Sequence, residues 1–480
     1  MQASTTALQT ALEAIAPGGV WPAGPDDVVA GVRPRVVVEP ASEDEVAALL
    51  AYADREGLAV LPRGGGTQSH LGAPPTRGDL LLSTRRLSGV IEHAPHDQTV
   101  SVQAGTPLAA LQAQLAQAGQ WLALDPALPP AATIGGIIAT NATGAHRLRH
   151  GGVRDQIIGV RVALTDGTVA RGGGKVVKNV AGYDLPKLFT DALGTLGVVV
   201  SAMFRLYPLP AATRTLVYTS DDPAPLLDLA LRVNASTLVP AAMDLLAEDA
   251  AAGPFRLAVR FASAIPEAVA DQAAALDALA GKGWPADESA PTGLRPPSSP
   301  TRAGDRANVT GASVPPSPGG VAVRPASPLP EGEDDGAAFW RAAGDLVPQG
   351  DVDDGSLLLK VSLLPSAQAD WLARLRAVAR EHGLRARLRM HAGHGISYLR
   401  LAGSEDARAS TGRPYVEALD ALREAAAQTR GSLVVQDAPL SLLSTLDVWG
   451  PIPALAVMRR LKAQFDPHAI LNPGRFAGGI

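Results

Sequence analysis

The sequence has no cysteine. That excludes disulfides, thiolate zinc sites, iron–sulfur ligation and a cysteine nucleophile together. Histidine is scarce, with nine in 480 residues, and no two stand four apart beside a glutamate on a plausible helix, so the helical metalloprotease pattern is missing. Aromatic residues make up 4% of the chain, too few to suggest a ring-stacking pocket for a substituted aromatic substrate. The formal charge of −5 leaves no electrostatic footprint for nucleic acid or an anionic membrane. The longest apolar stretch, near Leu193–Phe204, is too short to span a bilayer. No basic leader followed by an apolar run opens the sequence, so a cytoplasmic protein is expected. Any redox chemistry must be borrowed from an organic cofactor.

What is present reads as α+β. With 46% apolar residues, the chain can bury a sizeable core, and its length suggests two or three domains. Arg35–Glu39 reads as a short buried strand. Ser42-Glu43-Asp44-Glu45 forms a capping box, with Val46, Leu49, Leu50 and Ala53 at helical spacing until Gly57. A strand at Ala59–Leu61 then runs into Arg63-Gly64-Gly65-Gly66-Thr67-Gln68. Further strands fall at Leu80–Ser83, Val90–His93 and Thr99–Gln103, and Thr106-Pro107 caps a helix that Gly119 ends. Residues 129–152 read as a second loop of small residues. Val160–Leu164 and Thr168–Arg171 make a hairpin around Asp166-Gly167, and Gly194–Tyr207 is a glycine turn followed by a strand.

These signals divide the chain into a helical segment (1–32), a cofactor domain (33–210), an α+β cap domain (211–284 and 337–441) and a C-terminal return (442–480). Between the halves of the cap, residues 285–336 hold 11 of the 40 prolines and no aromatic residue, and so read as a disordered insertion.

Two glycine-rich loops carry the functional signal. Without Cβ atoms, backbone N–H groups in Arg63–Gly72 can turn inward on a phosphate. The Lys-Ser/Thr ending of a Walker loop is absent, so this is not an ATPase motif. Ala132–Gly144, with Thr133, Ile134, Gly135, Gly136, Thr140, Ala142, Thr143 and Gly144, supplies a second small-residue loop. Together they can wrap a dinucleotide pyrophosphate, although neither fits the Gly-x-Gly-x-x-Gly fingerprint of a Rossmann unit.

These loops, together with Gly151–Asp155 and Gly194–Val199, resemble the PCMH-type FAD-binding domain of the vanillyl-alcohol oxidase/p-cresol methylhydroxylase superfamily. Lys178–Leu185 and the closing Phe465-Asp466-Pro467…Asn472-Pro473-Gly474-Arg475 resemble, more narrowly, the FAD-binding E subunits of glycolate oxidase. The resemblance implies an FAD site built from Arg63–Gln68, Thr133–Gly136, Thr140, Ala142–Gly144, Gly151, Arg154 and Asp155. Gly197, Val198 and Val199 would lie along the isoalloxazine, with Asn472 and Arg475 closing the site. Some superfamily members attach FAD through a histidine after the Arg-x-Gly-Gly run; Thr67 stands there, so FAD is expected to be non-covalent. The resemblance also implies a catalytic flavin subunit, an iron–sulfur subunit, a small 2-hydroxy acid substrate, and a location peripheral to the inner membrane through those partners.

The substrate side is sparser. Catalytic relatives of this group carry a metal-binding run, His-x-Gly-Asp-Gly-Asn-x-His. The nearest stretch here, His391–Tyr398, has no acid, no asparagine and no closing histidine, so no metal is expected, and His394 reads as a packed or flavin-facing remnant. Arg341 and Arg400 are candidate carboxylate anchors. Only six of the 42 basic residues are lysines, and Lys175, Lys178 and Lys187 fall within thirteen positions, which suggests a need there for compact ammonium groups beside Tyr183 and Asp184. The resulting expectation is an FAD-binding subunit that does not itself turn over glycolate. Its rivals are a stand-alone FAD-dependent D-2-hydroxy-acid dehydrogenase and a scaffold with a vestigial flavin site.

Overall fold

The computed structural model describes residues 5–174, 183–281, 335–349, 355–403, 412–443 and 445–480. The expected insertion at 285–336 lies outside them apart from its last two residues, as do Lys175 and Lys178. Three main sheets organise the rest. The first is four-stranded, in the order Val20–Pro22, Val36–Val38, Leu80–Ser83, Val60–Arg63, and its last three strands are parallel. Helix Glu43–Glu56 makes the crossover. Ser42 caps it by accepting from the Glu45 N–H, and Gly57 ends it at φ +64°. The return bond of the capping box goes to Ala41, whose N–H donates to Glu45 Oε2 at 2.7 Å. Val46, Leu49, Leu50 and Ala53 bury the helix's apolar stripe against Val36, Val38, Leu80 and Leu82, as helical periodicity requires.

The second sheet is antiparallel: Val90–Ala94, Thr99–Gln103, Val198–Arg205, Ile157–Ala163, Val169–Gly173. The third has seven antiparallel strands, ordered Ala212–Ser220, Phe255–Ser263, Ala242–Ala247, Leu384–His391, Ile396–Gly403, Leu357–Ser362, Ser432–Asp437. One face of this cap sheet is covered by helices Pro223–Asn234, Pro266–Ala280, Gln368–Glu381 and Arg413–Gln428. After helix Leu455–Phe465 the chain returns to the first sheet. Val60 is bonded on both sides there, its N–H donating to Ile470 O at 2.8 Å and its carbonyl accepting from the Asn472 N–H at 3.0 Å. Asn472 and Arg475 are thereby delivered beside the loop that follows Val60–Arg63.

Two local expectations need correction. The run read as a loop contains a two-turn helix, Ile134–Thr140, capped by Thr133 and ended by Asn141 at φ +48°. Gly135 and Gly136 obscure it in the sequence, because glycine disfavours helix and the element is short. Its Ile134, Ile137 and Ile138 are buried. Thr106 does not cap helix Leu108–Ala116; its hydroxyl bridges to the backbone of Gly89. Among the described residues, no helix is long and apolar enough to cross a membrane.

Candidate functional site

The two glycine-bearing segments meet backbone to backbone. A Cβ on Gly64 would sit 2.1 Å from Thr133 Oγ1, and one on Gly65 1.8 Å from the Ala131 carbonyl oxygen. The contact forms one wall of a cleft of about 100 Å³ whose lining includes Gly64–Ser69, Thr133, Gly136, Thr140, Leu193, Asn472 and Arg475. A second hollow of about 70 Å³ shares Gly64, Gly136 and Leu193 with it and extends along Gly194, Gly197, Val198 and Val199.

The wall is rich in unspent donors. Among the described residues, the backbone N–H groups of Gly64, Gly65, Gly66 and Thr67 donate to no protein acceptor. In the same lining Asn472 uses its amide NH₂ on Leu193 O at 2.5 Å, while its buried Oδ1 has no partner. A row of backbone donors together with a buried acceptor is a donor set that suits a phosphate-bearing cofactor with an N–H heterocycle. The residues therefore fit FAD.

Other expected site residues have different surroundings. Arg63 points its guanidinium at Asp27 Oδ1, 2.6 Å away, although its Nε stays buried and unpartnered. Burial pushes the Asp27 carboxyl up, but the Gly24 N–H and Arg63 outweigh it and hold it below the usual range. Ile134 and Ala142 are buried in the packing, and Gly144 packs on Asp125, so none of the three lines the cleft. Thr143 offers its carbonyl to Gln349. The Asp155 carboxylate accepts from the Gly152 N–H beside Gly151, and Arg154 donates to Thr190 O; both bonds brace the loop.

On the cap side, Arg341 is exposed on helix Asp335–Leu346, which removes it as a carboxylate anchor at the cleft. Arg400 is buried, donates to Ser356 and lies 3.8 Å from Asp437, which in turn meets His70 of the glycine loop at 3.1 Å. Trp449 donates its indole N–H to Arg475 O. Tyr183 is exposed, and Asp184 pairs with Lys187 at the surface, so the described part of the lysine cluster is a solvated turn.

Sequence reading passed over three groups here. Asp244, on the strand beside His391, bonds His391 Nδ1 at 2.6 Å and Arg389 Nε at 2.9 Å, all three almost fully buried. Gln349 ties the halves together by donating to Thr143 O at 2.9 Å and accepting from Gln68 at 3.2 Å. Asp191 sits at φ +72° in the strap leading to Leu193; burial raises its pKa against the pull of Lys360 and Arg154. Only the positive φ of Asp191 has a local cause; the other two depend on pairings far apart in sequence.

Burial, reinforced by the ring of His391 4.8 Å away, lowers the His394 pKa to about 3. Burial and His146 lower that of His150 to about 4. Each is neutral when folded but takes a proton below about pH 6.5 when unfolded. The unfolded chain thus binds more protons, and stability falls as the pH drops from about 6.5 toward 4 for His150 and toward 3 for His394, by up to roughly 1.4 kcal/mol per pH unit for buried His394 and by less for the partly solvated His150. Thermal melting across pH 7.5 to 4.5, a range of about 3 units, should show this acid limb. His394→Gln should flatten it, and an unchanged limb would discount the buried imidazole.

Comparison with known proteins matches these regions. Residues 34–173 match the family described as "FAD binding domain", and residues 209–435 and 450–476, just over half of the chain, match "FAD linked oxidases, C-terminal domain". Among curated relatives, glycolate oxidase subunit GlcD of Bacillus subtilis is 32% identical over 213 residues, 44% of this chain and 45% of the relative. D-2-hydroxyglutarate dehydrogenase of Xanthomonas citri pv. viticola is 35% identical over 185 residues, 38% and 39% of the two chains. D-lactate dehydrogenase of Archaeoglobus fulgidus is 37% identical over 174 residues, 36% and 39% of the two chains. The chain thus spans less than half the length of these relatives. A solved alkyldihydroxyacetonephosphate synthase shares the fold over 93% of this chain and 78% of its own, with a TM-score of 0.62 and 16% identity. Glycine loops, cap sheet and C-terminal return are all covered by these matches, and the chain belongs to the FAD-linked oxidases, with FAD as its cofactor.

Proposed function

We propose that this chain is the FAD-binding subunit of a complex that oxidises a small 2-hydroxy acid, with glycolate to glyoxylate as the first candidate reaction. The observation that carries the reading is the donor set of the cleft, four unspent backbone N–H groups at Gly64–Thr67 and the buried Asn472 acceptor in one lining. Bound FAD supplies the two-electron acceptor. In this reading the Gly64–Thr67 N–H groups hold the pyrophosphate, with Gln68, Thr133, Gly135, Gly136 and Thr140 around it. Gly197, Val198 and Val199 wall the ring end, and Asn472 and Arg475 close it. The substrate class follows the relatives named for glycolate, D-lactate and D-2-hydroxyglutarate. With no cysteine here, iron–sulfur clusters would belong to another polypeptide, which would also hold the complex at the inner membrane.

The reading as electron transfer or assembly in preference to independent turnover is supported by the His391–Tyr398 run, which has no acid, asparagine or closing histidine, and by Asp244, paired with Arg389, which holds His391 Nδ1. The purified chain should be yellow yet bleach slowly with glycolate and an artificial acceptor, and gain rate with its partners. A colourless product unable to take up FAD would overturn the reading. Acid or denaturant should release all the flavin, since Thr67 offers no attachment; colour remaining on the denatured polypeptide would contradict non-covalent binding. A second reading, a stand-alone D-2-hydroxy-acid dehydrogenase, is favoured by the 35% and 37% identities to the two dehydrogenases. Rapid bleaching by D-lactate would select it.

A further inference from the structure

In a chain that writes 36 of its 42 cations as arginine, one lysine among the described residues is buried: Lys462, on the last turn of helix Leu455–Phe465. An ammonium has three hydrogens to place. Here they go to Thr195 O at 2.8 Å, Leu471 O at 2.8 Å and Asp466 Oδ2 at 2.5 Å. Asp466, itself 1% exposed, is equally occupied, because Oδ1 accepts from the Ile470 N–H at 3.0 Å and Oδ2 from the Leu471 N–H at 2.8 Å. Burial pulls the Lys462 pKa down, and Asp466 opposes it.

The two carbonyls are 276 residues apart, and each belongs to a segment that lines the cleft. Thr195 follows Gly194 and precedes Gly197–Val199. Leu471 precedes Asn472, whose amide closes the same junction from the other side through Leu193 O. Lys462 itself lines neither hollow. A planar guanidinium cannot aim three hydrogens tetrahedrally in this volume, which accounts for lysine at this position.

We infer that Lys462, anchored by Asp466, is a positioning residue for the flavin. It locks the Gly194–Val199 strap to the Asn472–Arg475 return, and so sets where the Asn472 acceptor stands. The inference rests on the FAD reading above and goes further by assigning control of the ring end to a residue outside the cleft.

The test is a double-mutant cycle read by FAD titration and by the fine structure of the bound flavin's absorbance at saturating FAD. Lys462→Met and Asn472→Ala should each weaken FAD binding at least tenfold and blur the same band. The combined variant should be no worse than either one, because both act through one junction. Lys462→Arg should not rescue. Lys462→Met may leave Asp466 uncompensated and fail to fold, so Lys462→Met with Asp466→Leu removes both charges. That pair should melt near wild type yet keep the FAD defect. Wild-type affinity and spectrum in the folded pair, or losses that multiply in the Lys462/Asn472 cycle, would overturn the inference. Failure of the wild-type chain to bind FAD would instead overturn the functional reading.

Discussion

Gly65→Ala should yield a protein that folds its cap but no longer retains FAD, with affinity reduced at least a hundredfold. The added Cβ would stand 1.8 Å from the Ala131 carbonyl oxygen and 2.7 Å from its carbon. Both are backbone atoms of a segment whose Ala132 N–H is bonded to Pro129 O and whose Ala132 carbonyl accepts from Leu108, so no rotamer change relieves the contact. One of the two segments must move, and the Gly64–Thr67 donors move with it. Gly174→Ala is the control. It lines neither hollow, and its Cβ would meet nothing within 4 Å. FAD titration with flavin fluorescence separates the variants, and equal affinities would show that the backbone contact does not form the cradle.

The elements legible in the sequence were those whose cause is local. Ser42 and Gly57 bracket a helix by chemistry at its own ends, Asp166-Gly167 turns a hairpin, and a triple glycine announces a backbone approach wherever it falls. Helix Ile134–Thr140 was hidden because its support comes from elsewhere: Gly135 donates to Ala104 O, and its isoleucines pack into a core assembled from distant strands. The lysine cluster drew attention by its density, yet its described member Lys187 is half exposed. The compact ammonium that the fold requires is the isolated Lys462. Its i,i+4 spacing to Asp466 was visible, but the Thr195 carbonyl that gives the pair its purpose was not. The partner of His391 is likewise invisible locally, because Asp244 stands 147 positions away and comes into register beside it only in the cap sheet.

Asp244→Ala should be the most destabilising single change in the cap, by about 3–5 kcal/mol, because it leaves a buried cation without its counter-charge. Arg389 is 3% exposed and directs its Nε at the lost carboxylate, and His391, fully buried, loses the acceptor on Nδ1. Asp244→Asn should recover part of the loss by restoring an acceptor without the charge. Combining it with Arg389→Met should recover more, since removing both charges avoids the desolvation that neither can bear alone. The pH dependence has a definite sign. Burial pushes the Asp244 carboxyl up, but His391 and Arg389 outweigh it and hold its pKa far below the usual value of 3.8. Its contribution is therefore complete above about pH 4 and is lost as the pH falls further, overlapping only the acid end of the His394 window, which runs from about 6.5 to about 3. Thermal melts of the Asp244→Asn and His394→Gln variants between about pH 7 and 3 should consequently differ in shape. The first should lose stability at every pH above about 4, and the second should change the limb between about 6.5 and 3. If Asp244→Ala melted like wild type, the buried trio would not hold the cap strands in register. Turnover would then no longer be assigned to a partner on the ground of the Asp244–His391 contact.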